Sequence, residues 1–259
     1  MTEINSRIFY RGPSQLDGAP ILGIITGLST PSTNTKTGDM LQTYILREDV
    51  SPPDAIVHGH DRSICGACAL RGDGHGLGRS CYVQVKWAPL AVWKFVQDQI
   101  PGWYTSGQHE AEIYHGKQDR FLRLGTYGDP CAIPLYVWEW LLTRTAGHTG
   151  YTHQWREDRF HDFRHLCMAS VESVADQQQA GELGWRTFRT RGSIAEGLMT
   201  HEITCPASAE AGHKTTCQAC RLCDGTGASM SRKNIAIVAH GSRAAKYGTQ
   251  VLPFEEDWP

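Results

Sequence analysis

Seven of the nine cysteines lie in two short stretches, and their spacing is typical of metal ligands. In the first stretch, which we call the first cysteine set, two residues separate Cys65 from Cys68 and twelve separate Cys68 from Cys81. A tight turn containing Gly66 can bring the first two sulfurs together, and the longer loop returns the third. The first cysteine set therefore predicts one metal centre with three cysteine ligands.

The fourth ligand of this centre is not evident from the sequence. The isolated residues that could supply it are Cys131, Cys167, His58, His60 and His75. Alternatively, the fourth position is left for a substrate or a cofactor, as in catalytic metal sites. Cys167 lies in the apolar run LCMASV, so we expect it to be a small core residue.

The second cysteine set, Cys205, Cys217, Cys220 and Cys223, supplies four thiolates without outside help. CxxCxxC with one remote cysteine is more typical of an iron–sulfur cluster than of a zinc ribbon, which uses two separated CxxC knuckles. We expect an iron–sulfur cluster here, with zinc as the alternative metal. Four basic residues near this loop would offset the charge of a thiolate-bound cluster. They are Lys214, Arg221, Arg232 and Lys233.

The elements that must position these cysteines alternate between strand-like and helical patterns. The strand predictions include residues 41–46, 120–125, 165–171, 185–190 and 234–241, and the helix predictions include residues 89–100 and 134–147. This alternation predicts an α/β domain with a largely parallel sheet, either open or curled into a partial (β/α) barrel. The run WRTFRTR at 185–191 could stack on single-stranded bases, or could pack its aromatic rings and expose its arginines.

The composition divides the chain into two parts. Residues 1–39 are rich in Gly, Pro, Ser and Thr, which predicts an N-terminal arm laid over the main domain. Residues 40–259 are expected to form a single α/β domain. This domain contains a cysteine-rich loop at 58–83 and a C-terminal cysteine-rich segment at 205–225.

The loops beyond the carboxyl ends of parallel strands usually bind ligands. Gly128, Asp129 and Pro130 form a turn at one such end, and we expect the turn to contact a cofactor. The alternative is that Asp129 is a turn-forming residue that bonds its own backbone. His153 and His240 lie at other strand ends, where an imidazole could act as a general base, bind metal, or be a hydrogen-bonded structural residue. Asp129 and His240 are the candidate catalytic residues.

Charge and hydropathy disfavour several classes of function. The 25 Lys and Arg residues against 27 Asp and Glu give a net charge of -2, so no strongly basic surface for duplex nucleic acid is indicated. No apolar run approaches the roughly 20 residues of a membrane span, and no apolar signal segment begins the chain. We expect a cytoplasmic protein without a membrane partner, in which nine cysteines would not pair as disulfides. Walker A, GxGxxG and GxSxG motifs are missing from the sequence.

Eight stretches together resemble an uncharacterised family of bacteriophage and prophage proteins. They are KTGDMLQTYIL, DRSICGAC, GRSCYV, RLGTYGDP, GYTHQWR, HLCMASVES, GWRTFR and the run from 205 to 241. The resemblance covers most of the chain and implies the cytoplasm of an infected or lysogenic bacterium, but it implies no activity.

A more distant resemblance, to the radical S-adenosylmethionine superfamily, rests on the order of strand, cysteine loop and turn. It implies a partial barrel in which the open iron of a three-cysteine 4Fe-4S cluster binds S-adenosylmethionine. It also implies that the turn at 128–130 accepts a hydrogen bond from the cofactor's amino group, with Asp129 where the superfamily has Glu. The sequence thus predicts a protein with two iron–sulfur clusters, and an enzyme of redox or radical chemistry on a nucleotide or nucleic acid. The alternative is a zinc-stabilised, non-catalytic nucleic-acid-binding or accessory protein.

Overall fold

The computed structural model describes residues 5–32, 34–75, 77–98, 100–101, 107–227 and 233–247. Residues 1–4 of the expected arm, and residues 228–232 and 248–259 of the expected domain, lie outside this part of the chain. The described residues form ten β-strands and seven α-helices, so the α/β class is confirmed. Within them, no helix combines the length and the apolar character needed to span a membrane.

The elements have the following bounds. The strands are β1 (Ser6–Pro13), β2 (Pro20–Thr26), β3 (Leu41–Arg47), β4 (Phe121–Tyr127), β5 (Gly147–Thr149), β6 (Tyr151–Thr152), β7 (Met168–Val171), β8 (Thr187–Arg191), β9 (Glu202–Thr204) and β10 (Asn234–Val238). The helices are α1 (Pro52–Val57), α2 (Arg62–Cys65), α3 (Ala88–Gln97), α4 (Gly107–Gly116), α5 (Leu135–Leu142), α6 (Val174–Glu182) and α7 (Cys217–Cys220). Short 3₁₀ segments join several of them, and the longest is Asp158–His165.

The strands form two five-stranded sheets. The first has the order β1-β2-β3-β4-β5 and the second β6-β7-β8-β10-β9. The pairings β1/β2 and β2/β3 are antiparallel, and the six others among the described residues are parallel, which confirms the largely parallel arrangement. β5 and β6 flank Gly150, whose carbonyl accepts from the Met168 amide at 2.9 Å. The two sheets therefore meet along one extended stretch of chain.

Part of the expected N-terminal arm is integral to the first sheet. β1 and β2 form an antiparallel hairpin, and β2 pairs with β3 along its length. Ile8 and Ile24 are fully buried, so the hairpin belongs to the hydrophobic core and does not lie over it. Composition obscured β1 because it carries two arginines. Their charges are neutralised in the fold, since Arg7 pairs with Glu112 and Arg11 with Glu48.

The three arginines of the WRTFRTR run, two of which lie on β8, are buried, contrary to the predictions that they bind bases or are exposed. Arg189 and Arg191 are each 1% exposed, and Trp185 is also buried. Arg189 donates two hydrogen bonds to Glu202, at 3.0 and 2.6 Å, and Arg191 pairs with Glu210. The carboxylates make this burial tolerable, since a buried charge needs a partner. The strand therefore presents no arginine-rich aromatic surface to bases.

Helix α5 holds the turn after β4 in place. Its first turn follows Pro134, whose fixed backbone favours helix initiation. Trp138 is completely buried, packs against Phe9 at 5.2 Å between ring centroids, and donates from Nε1 to the Pro130 carbonyl at 2.8 Å. The position of the Gly-Asp-Pro turn is thus fixed by the helix that follows it.

A buried lysine completes the other end of α5. The Lys117 ammonium donates to the Leu141 carbonyl at 2.9 Å and to the Thr143 hydroxyl at 3.1 Å, and also reaches the carbonyls of Trp140 and Thr143. The last carbonyls of a helix have no partner within it, so a cation there satisfies them.

Replacing this lysine by methionine is expected to destabilise the fold. Lys117→Met retains most of the volume but leaves these buried carbonyls unpaired, which should lower the free energy of unfolding by about 2–3 kcal/mol. Chemical denaturation followed by circular dichroism measures the change. Lys94→Met, on the exposed face of α3, is the matched control and should change stability by less than about 0.5 kcal/mol. Equal stability of the two variants would contradict the capping role.

Candidate functional site

All seven cysteines of the two sets line one cavity of about 460 Å³. Alternate residues of the strands in both sheets line the same cavity, as expected when one sheet face surrounds it. They include Gln42, Tyr44, Thr149, Tyr151, Phe188, Thr190, Ile235 and Ile237. Among the described residues, no three His, Cys, Asp or Glu side chains form a group that could hold a single metal ion. The structure thus brings the two cysteine sets to one place without forming a ready single-ion site.

The first cysteine set follows β3 through two short helices. Ser51 caps α1 and two prolines begin it, and Cys65 is the last residue of α2. Gly66 then adopts a φ of 55°, a region that favours glycine. A Cβ on Gly66 would also lie 2.3 Å from the Gln154 side-chain oxygen. Glycine is therefore required both for the turn and for the close approach of Gln154.

Gln154 ties the first cysteine set to the turn after β4. Its side-chain oxygen accepts from the Ala67 amide at 3.1 Å. Its side-chain nitrogen donates to the Cys65 carbonyl at 3.1 Å and to Asp129 at 3.0 Å. The residue is only 1% exposed. A fully bonded buried amide of this kind fixes the loop conformation, because any displacement leaves polar groups unpaired.

Asp129 uses its whole carboxylate on the protein. One oxygen accepts from the Cys131 amide at 3.0 Å and the Thr152 hydroxyl at 2.7 Å. The other accepts from the His153 amide at 2.8 Å and from Gln154 at 3.0 Å. Because a carboxylate offers about four lone-pair positions, none is left for a ligand's amino group. The hydrogen bonds therefore favour a turn-forming residue over the cofactor-binding and catalytic roles expected for Asp129.

The substitution Asp129→Asn tests this role. The substitution replaces one carboxylate oxygen, which accepts two hydrogen bonds, by an NH₂ group that cannot accept them. We therefore expect the free energy of unfolding to fall by about 2–3 kcal/mol. Thermal or chemical unfolding of the full chain measures it, with Asp162→Asn at an exposed position as the control. Unchanged stability together with weaker binding of an amine-bearing cofactor would restore the ligand role.

Gly128 and Pro130 complete the turn. Gly128 has a φ of 90°, and a Cβ there would lie 2.6 Å from Cβ of Ile45. Gly128 and Asp129 border the cavity, whereas Pro130 is buried behind them. The turn is thus positioned at the cavity wall by the strand packing beneath it.

His153 is the histidine that the structure brings next to the first cysteine set. Its Nε2 lies 3.6 Å from the Cys68 sulfur and 3.0 Å from the Glu172 carboxylate. Burial alone would lower the pKa of His153, but Cys68 and Glu172 raise that pKa well above its usual range. The imidazole thus lies at the cavity wall within hydrogen-bonding distance of Cys68 and of Glu172, which follows the carboxyl end of β7.

The five residues considered from the sequence as fourth ligands do not line the cavity. Cys131 is fully buried with its sulfur 3.2 Å from the Thr152 hydroxyl, and Cys167 is a fully buried core residue, as predicted. His58 and His60 face each other edge-on at 6.1 Å, and His75 lies 3.4 Å from the Val57 carbonyl. The first cysteine set therefore has three thiols at the cavity.

The second cysteine set is held by backbone hydrogen bonds from distant parts of the chain. The Cys205 amide donates to Ala236 in β10 at 2.8 Å, and the Cys217 amide donates to Lys36 at 2.9 Å. The Cys223 carbonyl accepts from Gly150, between the two sheets, at 2.9 Å. Burial raises the pKa of Cys223, so metal binding there must displace the thiol proton.

Arg186 anchors the end of this segment. Its guanidinium donates to Asp224 at 3.1 Å, to the Leu222 carbonyl at 2.7 Å, to the Lys233 carbonyl at 2.9 Å and to the Gly225 carbonyl. The arginine side chain is 10% exposed. Sequence reasoning treated this arginine as a surface or nucleic-acid-binding residue, because alternation in a strand does not reveal a buried carboxylate opposite.

One of the four cations expected near the second cysteine set lines the cavity. Arg221 does so and lies over the Phe121 ring at 4.4 Å, whereas Lys214 does not line the cavity, Lys233 contributes a carbonyl to Arg186, and Arg232 is outside the described residues. Lys36 and Arg123 also line the cavity, and both interact electrostatically with Cys217 and Cys223. No local motif marks either residue, because each lies more than 80 positions from every member of the second cysteine set in the sequence.

His240 lies at the exposed rim of the cavity. It stacks on Tyr82 with 5.5 Å between ring centroids and 22° between planes, and its Nε2 lies 3.3 Å from the Lys36 ammonium. Partial burial and the Lys36 charge lower the pKa of His240. The predicted catalytic candidate thus lies at the cavity mouth, in contact with Tyr82 and Lys36.

Comparisons with protein-family models, curated proteins and solved structures gave no match. The cavity and its seven cysteines are therefore the basis for assigning a function to this chain.

Proposed function

We propose that the chain is an iron–sulfur enzyme with two cysteine-bound centres at one cavity. Cys65, Cys68 and Cys81 hold a cluster with one iron not bound by cysteine, and the second cysteine set holds a cluster closed by four cysteines. The observation that carries this proposal is that all seven cysteines line one cavity, while Cys131 and Cys167 are buried away from it. When bound, the open cluster supplies a Lewis-acidic iron that can bind a small ligand such as S-adenosylmethionine.

The donor set fits this kind of cofactor. Seven thiols line the cavity, beside the side chains of Asp129, His153 and His240, and thiolates select iron–sulfur clusters or zinc over harder metals. Lys36 and Arg123 would offset the negative charge of the second cluster.

The protein's own residues give the first centre a rigid frame. Gln154 fixes the carbonyl of Cys65 and the amide of Ala67, and the buried Arg71–Asp61 ion pair lies beneath the same loop. The His153 imidazole lies at hydrogen-bonding distance from Cys68. Hydrogen bonds to ligating sulfurs tune the potential of such centres, so His153 is suited to that role.

We further propose that the two sheets form a partial (β/α) barrel. Parallel strands follow one another in space as β3, β4, the β5–β6 stretch, β7, β8 and β10, and their alternate residues face the common cavity. The order of strand, cysteine loop and turn supports the proposed relation to the radical S-adenosylmethionine superfamily. Redox or radical chemistry in the reducing cytoplasm is the activity that this arrangement supports best.

A nucleotide is the substrate class that we propose for this cavity. The aromatic rings of Tyr82, Tyr151 and Phe188 line the cavity and suit a planar base. A zinc-stabilised nucleic-acid-binding protein gains little support, because Arg189 and Arg191 are buried in ion pairs.

Metal analysis of the anaerobically purified full chain tests the proposed function. We expect roughly seven to eight irons and as many sulfides per chain, with a broad visible absorption that dithionite bleaches. Adding S-adenosylmethionine should change the paramagnetic resonance signal of the reduced protein. Colourless protein that contains zinc alone would refute the proposal.

A further inference from the structure

Arg123 is a cation in the cavity wall that the fold leaves without a carboxylate. It lies on β4, and among the described residues it forms no ion pair with Asp or Glu. Its one side-chain hydrogen bond in this part of the chain is donated to the Tyr82 hydroxyl at 2.9 Å. The Tyr151 ring lies 5.7 Å from the guanidinium carbon, which adds a weak cation–π contact.

Most of the hydrogen-bonding capacity of Arg123 is therefore unused. A guanidinium carries five N–H donors in a planar fork, and its Nε atom here is buried without any partner. A buried donor without a partner is costly, and a bound acceptor would satisfy it. No hydrogen bond joins Arg123 to a cysteine sulfur among the described residues. Offsetting the charge of a cluster therefore explains why the residue is positively charged. It does not explain why the N–H donors of its guanidinium have so few acceptors.

Lys36 lines the same cavity and, like Arg123, has no acidic partner among the described residues. Its ammonium contacts His240 at 3.3 Å, and no carboxylate pairs with it among the described residues. Asp129, the acidic side chain in the cavity wall, is fully engaged by protein donors. Lys36 and Arg123 thus bring two cations to the cavity wall near Cys217 and Cys223, beside the aromatic rings of Tyr82, Tyr151 and Phe188.

We propose that Arg123 and Lys36 form an anion subsite that binds a carboxylate or phosphate group of the substrate. Oxyanions match the planar guanidinium fork with two parallel hydrogen bonds, and a lysine adds a point charge. The aromatic rings beside it suit a planar or apolar portion of the same small molecule. This inference rests on the proposed function for the role of the bound molecule as substrate, while the binding itself does not require a metal.

The test compares anionic and neutral probes on the anaerobically purified full chain. Uridine 5′-monophosphate, uridine and benzoate are titrated by calorimetry at low ionic strength. We expect at least one of the two anions to bind, and Arg123→Gln to weaken that binding about tenfold or more. Weakening of the phosphate probe alone assigns a phosphate group, and weakening of benzoate alone assigns a carboxylate. Uridine should be insensitive to the substitution.

Matched controls separate this inference from the iron–sulfur proposal. Arg159→Gln removes an arginine from an exposed ion pair and should leave every affinity unchanged. Binding of neither anion, or equal anion affinity in Arg123→Gln and wild type, would overturn the subsite. So would a variant that loses iron from the second centre yet binds anions normally. Zinc-only protein with Arg123-dependent anion binding would support the subsite while refuting the iron–sulfur function.

Discussion

Cys68→Ala is expected to lose about half of the iron of the anaerobically purified protein, whereas Cys131→Ala is expected to retain all of it. Cys68 lines the cavity beside His153, but the Cys131 sulfur is buried against Thr152 and does not line it. A three-cysteine centre cannot spare a ligand, because a lost thiolate leaves a second metal position without a protein donor. Iron and sulfide counts per chain, with the visible spectrum, measure the loss.

The reciprocal variant shows which centre has been lost. Cys220→Ala should remove the other half of the iron and leave the response of the first centre to S-adenosylmethionine intact. Cys167→Ala, at a buried core position, controls for general effects of removing a buried thiol. Loss of the first centre in Cys131→Ala would make that residue the fourth ligand and end the proposal of an open iron. Full iron in Cys68→Ala would refute the assignment of the first cysteine set.

The α/β architecture could be predicted from the sequence because it depends on local patterns. Residues 235–238 (IAIV) form a continuous apolar run, as in a strand of a parallel sheet that is covered on both faces, and proline and glycine mark several helix ends. β1 escaped prediction for the opposite reason. Its arginines are neutralised by glutamates from distant segments, and a sequence pattern cannot show a partner that only the fold supplies.

The ligand types of the candidate site were also predictable, but their convergence was not. The spacing of cysteines shows which of them a local loop can bring together. The convergence of the two sets depends instead on backbone hydrogen bonds between the second set and Lys36, Gly150 and Ala236. The same holds for Gln154, whose role exists only once the GYTHQW segment lies beside the first cysteine loop. Asp129 was recognised as a turn residue, yet only the structure shows that four donors occupy it.

Arg186→Met is expected to release the second cysteine segment from the sheet. The substitution leaves Asp224 without its partner at a site where both side chains are only 10% exposed, and it also removes the donor to the carbonyls of Leu222, Gly225 and Lys233. Breaking a buried ion pair from one side costs about 3–5 kcal/mol. We therefore expect a fall of that size in the free energy of unfolding, measured by denaturation, and loss of iron from the second centre.

Three further variants distinguish the contribution of the hydrogen bonds of the Arg186 guanidinium from that of its positive charge. Arg186→Lys keeps the positive charge but cannot reach several carbonyls at once, so it should recover less than half of the lost stability. Asp224→Asn should cost less than Arg186→Met, because the carbonyl contacts of the arginine persist. Arg159→Met, which removes an exposed ion pair, should cost less than about 1 kcal/mol. If Arg186→Met were as mild as Arg159→Met and retained all of its iron, the segment would have to be held by the cluster and the Gly150, Lys36 and Ala236 bonds alone.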